Sequence, residues 1–401
     1  MILLAAAICW MAVDQYLFCP QFVFKEPKVF SGDSIYNPYK NFTPQDYVKS
    51  NFHAHSKFGL GITNGEGLPK DIWETYEGLG YVFHAVSQYH KIDKYGETDK
   101  KYISSYEHGY NLKKTHQLLL GGDRVLGKDY IFPQTLNQKQ YILSRLAQDT
   151  SNVIVLNHPD LSSGYTERDL KYLQYYDCIE VLNPAAQSFA HWDTALSAGK
   201  KVFILGNDDL HNIKNRNQIA RFCTLVSSPT QSSKEALASI KSGSSIAMWL
   251  PQVHNESMGD KKNKLASSKI TLESIDVKGD DLVIEFEEPV DSLVVIGQNG
   301  KVVYSSSHQQ HFNVPFGKDC TYLRVEYRTK DGIRYFLNPL FRYQKQVYSR
   351  SVAGTAFVSR KPFKVAEAGF FFGGWILVVL LFLWRKKWWS YFSNFRMYLS
   401  I

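Results

Sequence analysis

Between residues 49 and 250 short apolar runs recur: YVFHAV (81–86), QLLL (117–120), NVIVL (152–156), CIEVL (178–182) and KVFIL (201–205). Each is rich in Val, Ile, Leu or Phe and too short for a helix, as expected of strands buried on both faces. Most are separated by stretches of helical character, at 136–149, 188–199 and 232–243. Parallel strands alternating with helices predict an α/β domain over 49–250.

From 268 to 345 the period changes. ITLESIDVKG, DLVIEFEEPV, SLVVIGQNGKVVYSSS and TYLRVEYRTKDGIRYFL alternate apolar and polar residues, as half-buried strands do. Asn299-Gly300 and Asp331-Gly332 are hairpin turn signals. This segment predicts a small antiparallel β-sandwich, Ig-like in scale. Residues 25–48, rich in Pro, Asn, Ser and aromatics, read as a linker that packs onto the next domain. Residues 346–367 read as a second linker.

The ends have a different pattern. Residues 368–384 (AGFFFGGWILVVLLFLW) carry no charge over 17 positions, the short end of a transmembrane span. Arg385, Lys386 and Lys387 follow at once, then Trp388, Trp389 and Tyr391. Flanking cations and interfacial aromatics predict a transmembrane helix and a basic cytoplasmic tail over 385–401. Residues 1–24 are apolar apart from Asp14 and Gln15 and lack a basic leader. They read as a signal peptide, an uncleaved anchor or a start placed too late, each implying export. The expectation is a membrane-anchored protein with an extracytoplasmic body.

Composition changes this picture little. Four of the +8 net charges are matched by Arg385, Lys386, Lys387 and Arg396 on the tail, and the body shows no dense basic stripe. A nucleic-acid partner is therefore not indicated. The five cysteines form no C-x-x-C pair, which argues against a cysteine zinc site. Buried free thiols fit better, with a Cys178–Cys223 disulfide left open.

The candidate chemistry lies near the ends of the α/β strands. There stand His53, His55 and Ser56, His90, Glu107, His116, His158, and Asp209 with His211. Loops at the carboxyl ends of parallel strands converge, which is why α/β folds bind ligands there. A pair spaced i, i+2 on extended backbone sends both side chains to one face. Imidazole and carboxylate together suit Zn, Mn or Fe. Seven of the 12 histidines lie on or near these ends, counting His84, which reads as an inner-face or core residue. Glu180 and Asn183 end another strand, where a pocket-lining and a structural role weigh equally. His108 is expected to point away, and His191, His254, His308 and His311 fall outside the pattern.

In order, His53-Ala54-His55-Ser56, Ser87-Gln88-Tyr89-His90, Glu107 with His116, His158-Pro159 and Asp209-Leu210-His211 resemble the motif series of the PHP (polymerase and histidinol phosphatase) family. The resemblance spans half the chain. It implies a distorted (β/α)7 barrel and two or three divalent metal ions (Mn, Zn or Fe). On that analogy His53, His55, Glu107 and Asp209 hold one ion, and Glu107 bridges to a second held also by His116 and His158. His90 and His211 hold a third. The implied activity is hydrolysis of a small phosphorylated substrate, a mono- or diester, by a metal-activated hydroxide, with Glu107 and Asp209 as the catalytic carboxylates. Two positions depart from the family pattern: Asn64-Gly65 replaces an Asp-Gly, and Tyr89 stands where an aspartate is usual. Both touch the third-metal side. Hydrolysis of another ester or amide on the same site, or a non-catalytic metal-binding module, are the competing functions.

Overall fold

The computed structural model describes residues 2–57, 65–344, 359–361 and 373. The chain divides into two compact units, one of residues 1–23 with 358–401, the other of residues 24–357. In the first, a helix (Ile2–Tyr16) precedes a short strand (Gln21–Val23) that pairs antiparallel with Ser359–Lys361. Among the described residues no helix is long and apolar enough to cross a membrane. The span expected at 368–384 lies outside the described residues, except for the helical Gly373.

In the second unit four of the five apolar runs form strands close to the expected bounds, Gln117–Leu120, Val153–Leu156, Cys178–Leu182 and Phe203–Gly206, while 81–86 shrinks to Phe83–His84. All four are buried throughout. The three predicted helices are Leu136–Leu146, Phe189–Ser197 and Ser233–Ser242. The last starts at Ser232, whose hydroxyl accepts from the Glu235 amide, a cap of about 1 kcal/mol.

The strands do not close into a barrel. A five-stranded sheet runs, in spatial order, Phe203–Gly206, Cys178–Leu182, Val153–Leu156, Gln117–Leu120 and Ser105–His108. The first three are parallel to one another, whereas Gln117–Leu120 is antiparallel to both neighbours. Phe83–His84, from the fifth expected run, instead joins Tyr47–Asn51, Phe222–Ser227 and Ser245–Trp249 in a second sheet. Short connections explain the mixture. Eight residues separate His108 from Gln117, enough for a hairpin but not for the helical crossover that a parallel strand needs.

The β-sandwich forms, but not as a separate module. Its strand Arg334–Leu337 pairs antiparallel with Ser245–Trp249 of the α/β part, so one ten-stranded sheet runs through both. Leu272–Lys278, Asp281–Val290 and Gln309–Pro315 form the facing sheet. One apolar cluster links the two parts, from Phe286, Phe312 and Tyr327 through Ile246 and Met248 to Ala54 and Leu210. Arg324 adds a bidentate ion pair to Asp193 on the Phe189–Ser197 helix, at 2.6 and 2.8 Å, and lies over the Trp192 ring. The 25–48 segment is more than a linker. Its Ser34–Tyr36 strand pairs with Leu340–Tyr343, and the buried Tyr39 hydroxyl donates to the Ser245 carbonyl and accepts the Asn338 amide.

Candidate metal centre

Seven of the eight metal ligands expected from sequence meet at one edge of these sheets. Their donor atoms form four overlapping groups, each within 4.8 Å: His53, His55 and Glu107; Glu107, His116 and His158; His53, His158 and Asp209; and His55, Asp209 and His211.

Local backbone geometry delivers them. His53-Ala54-His55 leaves the Tyr47–Asn51 strand still extended, and Ala54 forms a parallel bridge with Leu210. The His55 amide donates to the Leu210 carbonyl at 2.7 Å, and the Leu210 amide donates to the His53 carbonyl at 3.3 Å. With period-two alternation, Ala54 and Leu210 enter the core while the four flanking side chains turn to the other face. Gly65 runs beside this segment, where a Cβ would meet the Ser56 carbonyl oxygen at 2.4 Å. Its neighbour Asn64 lies outside the described residues.

On the other sheet His158 follows the Val153–Leu156 strand, while His116 comes before Gln117–Leu120. The antiparallel register explains how both reach the same edge: Gln117 is opposite Leu156 and also opposite His108. A strand running the reverse way presents its upstream end, so the rule of downstream ends placed His116 correctly for an incomplete reason. His158 (φ 29°) and Asp209 (φ 45°) sit in the left-handed region, a strained conformation for residues with a Cβ that clusters at functional sites.

The centre is dry and crowded with acceptors. His53, His55 and Glu107 are fully buried. His53 Nε2 lies 3.1 Å from His55 Nε2, 3.1 Å from Asp209 Oδ1 and 3.4 Å from Glu107 Oε1. His55 Nε2 is 3.3 Å from Glu107 Oε2, and His116 Nδ1 is 3.0 Å from Glu107 Oε1. Glu107 Oε2 and Asp209 Oδ1 are buried without a hydrogen-bond partner. Burial opposes ionisation of both carboxyls, but the surrounding imidazoles outweigh it and hold them well below their usual range. Burial likewise opposes a charge on His53, yet Asp209, Glu180 and Glu107 drive its pKa well above the ordinary value. Carboxylates crowded into a dry site are costly unless cations, whether protonated imidazoles or metal ions, sit among them. The donor set therefore fits divalent metal ions.

A second ring of residues fixes the ligands. A carboxylate only accepts, so His53 Nδ1 carries the hydrogen it shares with Glu180 Oε1 at 2.9 Å, and Nε2 is the nitrogen that would hold an ion once its own proton is displaced. Glu180 is held by Asn183 and Asn207, each at 2.9 Å. Asn183 also donates to Asp209 Oδ2 at 3.1 Å, and Asn157 to Glu107 Oε1 at 2.8 Å. Such carboxylate–histidine partners orient metal ligands. Glu180 and Asn183, for which a pocket-lining and a structural role weighed equally, contact His53 and Asp209 directly. Asn157 and Asn207 were missed; each adjoins a named motif, but an amide beside a strand end carries no signal of its own.

His90 does not join the cluster. Its Nε2 accepts the Gly109 amide at 2.9 Å, its Nδ1 faces the Leu126 carbonyl at 3.2 Å, and its ring stacks on Tyr110. Both ring nitrogens are engaged, and among the described residues His90 shares no candidate metal-ligating group with His211. His108 points away, bonded to Gln117 Oε1 and the Lys128 carbonyl. His84 packs edge-on against Trp73, and burial lowers its pKa to about 4. All five cysteines are free, Cys178 and Cys223 buried.

No protein-family model and no curated protein sequence matches the chain. Among solved structures, it is similar to a two-domain protein from Bacteroides vulgatus ATCC 8482 described as containing a predicted PHP-like metal-dependent phosphoesterase. The match has 14% identity and a TM-score of 0.38, over 79% of this chain and 99% of that one. The functional reading below is drawn from the side chains.

Proposed function

We propose that this protein is a metal-dependent hydrolase of small phosphorylated substrates, cleaving phosphomonoesters or phosphodiesters. One observation carries the reading: two buried donor groups, His53/His55/Glu107 and Glu107/His116/His158, share a single carboxylate and lie beside Asp209. A carboxylate common to two ion positions is what a paired-metal site requires. When bound, such ions act as Lewis acids that make water nucleophilic near neutral pH and neutralise phosphoryl charge.

The chain's own residues do the rest. Glu180 fixes the His53 tautomer. Glu107 spans the two groups and keeps their separation short. Exposure rises from zero at the His53 side chain to 10% at Asp209 and 29% at His211, so substrate approaches from the Asp209–His211 side. Asn183 donates to Asp209 Oδ2 at 3.1 Å and so holds this carboxylate toward the cluster at its more exposed edge. The metal identity (Mn, Zn or Fe) and a total of two ions belong to this proposal. So does an extracytoplasmic, membrane-anchored location, which the apolar 368–384 segment and the cations after it support.

The test is metal content of the purified protein, with hydrolysis of mono- and diester p-nitrophenyl phosphates, for wild type and His53→Ala. Bound metal with activity lost in the variant is expected. Metal without phosphoester cleavage would redirect the reading to another ester or amide. Folded protein that takes up no metal and cleaves nothing would overturn it.

A further inference from the structure

Tyr89 touches both donor groups. Its ring stacks on His55, with centroids 4.8 Å apart and planes at 22°, and meets His116 edge-on at 5.5 Å. His55 belongs to one of the groups that share Glu107 and His116 to the other. Tyr89 also forms a parallel bridge with Glu107, which fixes its backbone beside that shared carboxylate. The Tyr89 hydroxyl faces Glu107, while the residue as a whole stays only half-buried. It therefore stands at the boundary between the dry cluster and the open side.

A phenol there has a limited set of uses. His, Glu and Asp side chains supply the four donor groups. A phenol ordinarily titrates at about 10, so at neutral pH the Tyr89 hydroxyl is a donor. With ions bound, Glu107 would serve as a ligand, which would free the hydroxyl to donate to an anionic oxygen arriving from the open side. Preorganised neutral donors of this kind stabilise charge that grows in a transition state.

We propose that the Tyr89 hydroxyl donates a hydrogen bond to a phosphoryl oxygen of the bound substrate. This rests on the phosphoesterase reading above. The hydroxyl remains protonated throughout, and no bond to it forms or breaks.

Tyr89→Phe keeps the ring stack and removes only the donor. Manganese-loaded wild type and Y89F would be titrated calorimetrically with inorganic phosphate, and turnover of p-nitrophenyl phosphate measured alongside metal content and Tm. The expected result is phosphate affinity lower by roughly tenfold or more. A fall in kcat on the order of 100-fold is also expected, with KM changed far less and metal content and Tm preserved. Phosphate affinity and kcat within about twofold of wild type would overturn the assignment. So would loss of metal from Y89F, which would make the hydroxyl a ligand or a support for one. Wild type that holds metal but neither binds phosphate nor cleaves the ester would instead overturn the underlying reading, and this proposal with it.

Discussion

The segments His53-Ala54-His55 and Tyr89-His90 are neighbours in space, with the Tyr89 ring stacked on His55, but they are built in opposite ways. In the first, two imidazoles two residues apart share a face, and a core alanine between them anchors the backbone through its bridge to Leu210. In the second, the two residues are consecutive and turn to different surroundings. Tyr89 packs on the cluster, while His90, at φ 49°, stacks on Tyr110 with both nitrogens engaged. Spacing and backbone support, not the presence of histidine, decide which residues join the cluster.

The largest effect that would sharpen this contrast lies on the anchored side. Asp209→Asn is expected to lower activity at least about 100-fold, with loss of metal on elemental analysis. Retention of both would remove Asp209 from the centre. Next comes the support behind the first histidine. Glu180→Gln should weaken metal binding by roughly 10–100-fold in a chelator competition while leaving the fold intact by circular dichroism. Unchanged affinity would mean that His53 needs no orienting carboxylate.

A pH series probes the same side. His53, His55 and His158 are pushed down by burial but raised overall by Asp209, Glu180 and Glu107. In the metal-free protein their charge contributes stability that is present below about pH 6.5 and lost as pH rises through their raised folded values. Metal binding must displace those protons, so apparent affinity should fall from pH 8 to pH 6, by about tenfold per unit for each proton released. A flat profile would show that these imidazoles are not the ligands. The smallest effect belongs to the other segment. His90→Gln should leave metal stoichiometry unchanged and cost only about 1 kcal/mol, from the Gly109 and Leu126 contacts, in a thermal melt. Loss of an ion on that substitution would restore His90 as a ligand and break the comparison.

Much of the site could be read from residue spacing. The pair at 53/55 was recognisable because period-two alternation is a property of any extended backbone; the 209/211 pair has the same spacing, but Asp209 reaches the cluster from a left-handed backbone. Glu107, His116 and His158 were visible as chemistry beside apolar runs. His90 looked equivalent, since nothing in the sequence shows that the Gly109 amide and the Leu126 carbonyl come to meet its ring. Asn157 and Asn207 carried no mark at all, because an amide's role depends on which carboxylate it reaches.

The sequence by itself determined four buried strands, three helices and the turn to half-buried strands after residue 268, because burial pattern and turn chemistry act locally. Only the tertiary structure decided how those strands pair. It replaced a closed barrel with two sheets, joined the sandwich to the α/β part through Arg334–Leu337 and Ser245–Trp249, and set His116 opposite the end of the neighbouring strand. Pairing partners are chosen by contacts between residues far apart in the chain, and a local pattern of apolar and polar positions does not encode which distant edge a strand will meet.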